Sequence, residues 1–274
     1  MPKAKIDGGE IYYESSGEGP PLLLIPGFAS GAWSWAWQTG DLSGHFKVVT
    51  FDPRGIGGSP VVEDRPVSIG SIADDAAGLL KSLGIAKASV MGVSFGGFVA
   101  QEFALKYPGL LDKLVLASTS FGGPNHVLPP MDILTAFAST VGLNSGDRIR
   151  QYMKAGFSPE FIAGHEDEVE RFCALRELNA VPESVYLQQL QSATVFDAES
   201  RVPEIAAKTL VVSGDTDRVV PVRNSINLAG SIPGSRLDII ENGSHLVAVE
   251  QPSKFNAIVC EFLNEGGTNT DTVS

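Results

Sequence analysis

The chain has 274 residues, 43% hydrophobic and 19% charged, with 32 acidic against 20 basic side chains and a formal charge of −12. So acidic a surface argues against a phosphate-backbone partner, and no run approaches the ~18 apolar residues that a membrane-spanning helix needs. Two cysteines far apart, Cys173 and Cys260, make neither a disulfide framework nor a metal-ligand spacing.

The opening residues lack the apolar core of a signal peptide, so a cytoplasmic protein is expected, with no nucleic-acid or membrane partner. Ala4–Ile6, a turn at Asp7-Gly8-Gly9, and Ile11–Glu14 read as a hairpin. "LLLIPG" (Leu22–Gly27) follows, an apolar run closed by Pro-Gly. Such runs suit strands buried on both faces of a parallel sheet, because neither face needs polar residues. The signature returns at Lys47–Phe51, Ala88–Met91, Lys113–Ala117, Thr209–Ser213 and Arg236–Ile240. Helical patterns lie between these runs at Ser71–Gly84, Phe95–Pro108 and Val222–Ala229, with a last one at Pro252–Leu263. Alternating strands and helices predict an α/β fold with a mostly parallel sheet and helices on both faces.

Between Ser120 and Lys208 the strand signature stops, leaving helical patterns at Asp132–Val141, Asp147–Ala155, Glu166–Leu178 and Glu183–Ser192. A structureless loop of that length is implausible in a compact domain, so a helical cap inserted after the sixth strand is expected. The implied division is a core of residues 1–120 and 208–265, a cap of 121–207, and a polar, disordered tail of 266–274.

Gly92-Val93-Ser94-Phe95-Gly96 matches G-x-S-x-G and sits where a strand hands over to a helix, the context that motif requires. The plainer reading makes Ser94 the N-cap of the following helix, since serine is favoured there. A serine hydroxyl is a poor nucleophile without a base and an acid to orient that base, so the rest of the chain decides. Of four histidines, His45 precedes a strand, and His126 and His165 fall in the insertion. His245 lies just past the last strand, on the sheet edge where open α/β folds place their sites. After the Thr209–Ser213 strand come Asp215 and Asp217, both open to a turn role. Asp217 is taken as the acid and Asp215 as turn chemistry.

Ser94, Asp217 and His245, in that order, resemble the pattern of the α/β-hydrolase fold superfamily, in its branch of small capped serine esterases, enol-lactonases and C–C hydrolases. "FDPRGIGGS" (Phe51–Ser59), "GDTDRVVP", "GSH" and the spacing of Trp35, Gln38 and Leu42 add to the resemblance, which spans nearly the whole chain. Serine at the elbow, where epoxide hydrolases and dehalogenases of this fold carry aspartate, implies acyl chemistry. The resemblance also implies an oxyanion hole from the backbone N–H groups of Phe28 and Phe95. Many relatives have His-Gly before the Phe28 position where this chain has Pro26-Gly27, which removes no donor but leaves the support of that loop open. Asp52 and Arg54 would fasten a turn.

The function so implied is hydrolysis of carboxylic esters of small to medium apolar substrates through an acyl-enzyme, with no metal or cofactor, by a monomer or homodimer. Trp33, Phe137, Phe157 and Phe161 are candidate substrate contacts, although packing beneath the insertion is the plainer role for Trp33 and Trp37. A lactonase or C–C hydrolase is the alternative; such relatives bind a carboxylate, and Arg148, Arg150, Arg171, Arg176 and Arg201 are available in the insertion. A ligand receptor that keeps the three residues is the alternative of another class.

Overall fold

The computed structural model describes residues 2–61, 65–138, 143 and 145–265; the tail expected to be disordered lies outside them. β1 (Lys3–Ile6) and β2 (Gly9–Ser16) form the antiparallel hairpin, and β2 pairs antiparallel with β4 (Lys47–Phe51). The remaining pairings are parallel: β3 (Pro21–Ile25) lies between β4 and β5 (Ala88–Val93), followed by β6 (Leu111–Ala117), β7 (Lys208–Gly214) and β8 (Arg236–Ile240). The eight-stranded order is β1-β2-β4-β3-β5-β6-β7-β8.

Leu22, Leu23, Leu24 and Ile25 of β3 are all fully buried, and their alternation divides them between two cores. Leu23 and Ile25 join Val49, Phe51 and Val90 in the layer that packs on α2 (Ile69–Ser82) and α3 (Phe95–Lys106). Leu22 and Leu24 join Val48, Met91 and Val115 in the layer under α11 (Pro252–Asn264). Each such side chain contributes about 2 kcal/mol by burial, which is why the central strands need no polar face. α1 (Thr39–Leu42), α9 (Arg223–Ser231) and α10 (Val247–Glu250) complete the core helices.

After β6 the chain builds the cap helices α4 (Met131–Ala138), α5 (Ser145–Gly156), α6 (Pro159–Gly164), α7 (Glu166–Leu178) and α8 (Glu183–Thr194). They carry their own apolar cluster, with Ile149, Met153, Phe157, Phe172 and Cys173 against Val249 of α10. Among the described residues this segment has no strand, only an isolated bridge between Gly122 and Asp197.

Most element ends differ from the sequence reading by one or two residues, and the expected end of the Asp132–Val141 helix lies outside the described residues. α2 starts at Ile69, ahead of Ser71, because Ser68 and Ser71 cap one another: each backbone N–H donates to the other's hydroxyl, at 2.9 and 3.1 Å. α6 was not anticipated; it has six residues, too few for a periodic signal, and begins at a Ser158 cap followed by Pro159. No helix among the described residues is long and apolar enough to cross a membrane.

Candidate active site

Ser94 stands between β5 and α3 with φ 53° and ψ −117°, a conformation that costs a non-glycine residue on the order of 1–3 kcal/mol. Three bonds hold it there. Its N–H donates to Ala117 O (2.8 Å), and its carbonyl accepts from Gly97 N–H (2.9 Å) and from the Thr119 hydroxyl (2.8 Å). The capping alternative is overturned. A capping serine has extended dihedrals and turns its oxygen onto the helix, whereas this side chain makes no cap bond. The flanking glycines are required by crowding: a Cβ on Gly92 would strike the Gly96 carbonyl, and one on Gly96 the carbonyls of Ile25 and Pro26.

His245 lies in the loop between β8 and α10, and its Nε2 is 3.1 Å from Ser94 Oγ. Its Nδ1 is 2.9 Å from Asp217 Oδ2. A carboxylate can only accept, so Nδ1 carries the hydrogen and Nε2 is left to accept the serine proton. Asp217 is buried, whereas Asp215 is exposed. The second oxygen of Asp217 accepts from the N–H groups of Val219 and Val220, at 2.9 and 2.8 Å, which fixes the carboxylate plane. The neighbours of His245 tie it to the end of α5: Ser244 Oγ and Leu246 N–H both donate to Gly156 O, at 2.6 and 3.0 Å. The arrangement can draw a proton from Ser94 and hold the resulting imidazolium.

Phe28 follows β3, and its ring packs edge-on against Phe95 (6.0 Å between centroids) and Tyr186 (4.8 Å). Its carbonyl accepts from Arg176 Nη2 at 3.0 Å. Ala29, at φ 50°, donates its N–H to Gln189 Oε1 at 2.8 Å. Burial holds the Arg176 guanidinium below its ordinary pKa. Among the described residues it has no carboxylate partner; its other contact is Ser30 Oγ at 3.3 Å. Three of the remaining candidate arginines are paired with acids: Arg150 with Glu170, Arg171 with Glu168, and Arg201 with Glu102. Arg148 lies over the Tyr186 ring, 5.5 Å from its centroid, and the Tyr186 hydroxyl is 2.5 Å from that of Tyr152.

Three of the aromatic candidates gather in one cluster, which Leu246, the neighbour of His245, also joins. Trp33, Phe157 and Phe161 belong to the cap's apolar cluster, with Trp33 and Phe157 5.5 and 5.6 Å from Phe172 and Phe161 stacked on Phe157 at 5.3 Å. The Phe137 side chain lies outside the described residues. Trp37 donates Nε1 to Glu168 at 3.0 Å. His45 and His165 are exposed, and His126 pairs Nδ1 with Ser120 Oγ at 2.9 Å. Asp52 accepts from Ala32 and Gly58 N–H, and Arg54 forms a buried ion pair with Asp75 at 2.5 Å. Thr119, Tyr186 and Gln189 were not found by sequence reasoning, since none falls in a motif and each acts on a residue distant in the chain.

A family model described as alpha/beta hydrolase fold matches residues 20–252. The chain is 27% identical to the "Putative carbamate hydrolase RutD" of Agrobacterium fabrum, over 93% of this chain and 97% of that one. It is also 27% identical to the 2-hydroxy-6-oxo-6-phenylhexa-2,4-dienoate hydrolase of Comamonas testosteroni, over 93% and 91%. A thermophilic esterase from Thermogutta terrifontis superposes with a TM-score of 0.83 at 27% identity, over 96% of this chain and 98% of that one.

Proposed function

The chain belongs to the alpha/beta hydrolase fold family, and on that premise we propose that it is a serine hydrolase of small to medium apolar carboxylic esters, working through an acyl-enzyme. The observation that carries the reading is the continuous line from Ser94 Oγ through the His245 ring to the buried Asp217 carboxylate. The esterase likeness supports the choice of bond.

In this reading His245 Nε2 takes the Ser94 proton as Oγ adds to the substrate carbonyl. Asp217 holds the ring and stabilises its cationic form. The N–H groups of Phe28 and Phe95 bind the tetrahedral oxyanion, each worth about 3 kcal/mol in the transition state. Because the Phe95 N–H opens α3, the positive end of the helix dipole adds to it. Collapse of the intermediate breaks the C–O bond, and the leaving alkoxide takes the proton from His245. Water, deprotonated by His245, then attacks the acyl-enzyme and releases the acid. Residues 121–207 act as the cap that closes over this edge.

Arg176 favours a second reading, a lactonase or C–C hydrolase of substrates that carry an anion. A half-buried guanidinium with five N–H donors and, among the described residues, no acid partner is well suited to a carboxylate. The name of the Comamonas relative's substrate, a dienoate, fits that chemistry.

One panel separates the two: neutral aryl esters of short and long chain, lactones, and matched esters bearing a carboxylate, assayed with wild type, Ser94→Ala and Arg176→Met. Ester hydrolysis that disappears in Ser94→Ala supports the first reading. A preference for anionic over neutral substrate that collapses in Arg176→Met supports the second. The ratio is the readout, because Arg176 also contacts Phe28. Full activity in Ser94→Ala overturns both.

A further inference from the structure

The Phe28–Ala29 peptide is held at both ends by the cap. Its carbonyl oxygen accepts from Arg176 Nη2 of α7 at 3.0 Å, and its N–H donates to Gln189 Oε1 of α8 at 2.8 Å. Gln189 is 1% exposed and Ala29 6%, so no solvent competes for the bond between them, whereas the Arg176 bond is half-buried. Ala29 sits at φ 50°, a conformation that an alanine does not keep unless its surroundings impose it. Gln189 does not act alone on α8. Gln188 Oε1 accepts from Val67 N–H at 2.8 Å, and Ser192 Oγ accepts from Ile69 N–H at 2.9 Å. Three α8 side chains therefore take three backbone N–H groups of the core, and one of those groups belongs to the peptide next to the proposed oxyanion donor.

We infer that Gln189 is a positioning residue: it fixes the Phe28–Ala29 peptide so that the Phe28 N–H is aimed at the substrate oxygen, and thereby couples seating of α8 to formation of the oxyanion hole. This rests on the serine hydrolase reading above. The loop that carries the donor has proline at residue 26, which contributes no N–H of its own; Ser30 Oγ donates to the Phe28 carbonyl at 3.2 Å from within the loop, and the remaining support comes from Arg176 and Gln189 of the cap. A cap lifted from the core would leave Ala29 free to relax to negative φ and rotate the adjoining peptide. Loss of the Gln189 bond alone leaves Ser94, His245 and Asp217 in place, because none of them bonds to α8; the cap's tie to His245 runs instead through α5, where Gly156 O accepts from Ser244 and Leu246.

The test compares Gln189→Met, which keeps length and loses the acceptor, with Gln189→Glu, which keeps an acceptor and lies close to the Arg176 network. Each is measured for kcat and KM on an aryl acetate, for binding of an aryl trifluoromethyl ketone, and for thermal midpoint. The expected result for Gln189→Met is a kcat lower by about 10- to 100-fold, less than the roughly 10²- to 10³-fold that outright removal of an oxyanion donor costs. KM should change less than threefold, and ketone binding should weaken in parallel with kcat. Gln189→Glu should recover most of both. A Gln189→Met enzyme with unchanged kcat and ketone affinity would overturn the inference, and so would equal losses in the two variants. If Gln189→Met does not fold, Gln189→Glu against Gln189→Ala provides the same comparison. Wild type with no esterase activity and no reaction with a fluorophosphonate would overturn the hydrolase reading itself, a result distinct from a normal wild type with indifferent Gln189 variants.

Discussion

The Nε2 of His245 lies 3.1 Å from the Oγ of Ser94, although 151 residues separate the two in the chain. The sheet brings them together. Ser94 stands at the carboxyl end of β5 and His245 follows β8, with β6 and β7 between those strands and all running parallel. Loops that leave the same edge of a parallel sheet meet above it, whatever their distance in sequence.

The first prediction concerns the acid. Asp217→Asn replaces an acceptor with an amide that can donate, which leaves His245 in the wrong tautomer to receive the serine proton. We expect kcat on an aryl ester to fall by roughly 10⁴-fold, with KM little changed. Asp215→Asn, at an exposed position, should stay within about twofold of wild type. Steady-state kinetics of the two variants side by side decide the matter, and equal effects would contradict the assignment.

The second concerns the elbow. A methyl on Gly96 meets the carbonyls of Ile25, the last residue of β3, and of Pro26 just after it, and this backbone cannot step aside. Gly96→Ala should therefore lose about 1–3 kcal/mol or more, as overpacking does. Thermal or urea unfolding measures it. A variant as stable as wild type would mean the elbow is looser than described.

The third concerns the buried ion pair. Arg54 and Asp75 have side chains 4% and 2% exposed. Burial raises the pKa of Asp75, and its bonds to Arg54 oppose that shift. Arg54→Met leaves a buried carboxylate without its cation, at a cost of about 3–5 kcal/mol. Arg54→Met combined with Asp75→Leu should recover most of that loss, because the orphaned charge is gone. Chemical denaturation of both variants tests this, and a double variant no better than the single would contradict it.

The fourth concerns pH. Burial lowers the pKa of His126 from the ordinary 6.5. As pH falls through about 6.5 the unfolded chain takes up a proton that the folded one refuses, so stability declines with acidification in that window. Above it both states are neutral and the residue contributes nothing. Wild type should therefore lose more stability than His126→Gln between about pH 7.5 and 5.5. Parallel unfolding curves at the two pH values measure the difference, which should vanish if His126 titrates normally.

The strands were legible because burial on both faces leaves an unbroken apolar run, as in Leu22–Ile25, and the hairpin because Gly8 and Gly9 mark its turn. The elbow was legible in the same way, from its glycines and its place between two elements. What sequence could not show was choice among equivalents. Asp215 and Asp217 are both turn residues by composition, and only the fold separates them, by burying Asp217 and setting it against His245. Five arginines stand in the insertion, and pairing with acids removes three from contention. Nothing marks Gln189 among the three glutamines of α8, because its partner is a backbone N–H 160 residues away.

The most direct measurement is active-site labelling with a fluorophosphonate, read by intact-protein mass. The account predicts one adduct per chain of wild type, mapped to the peptide containing Ser94, and neither adduct nor ester hydrolysis for Ser94→Ala. An adduct at another residue, or a Ser94→Ala protein that still hydrolyses esters at the wild-type rate, would contradict it.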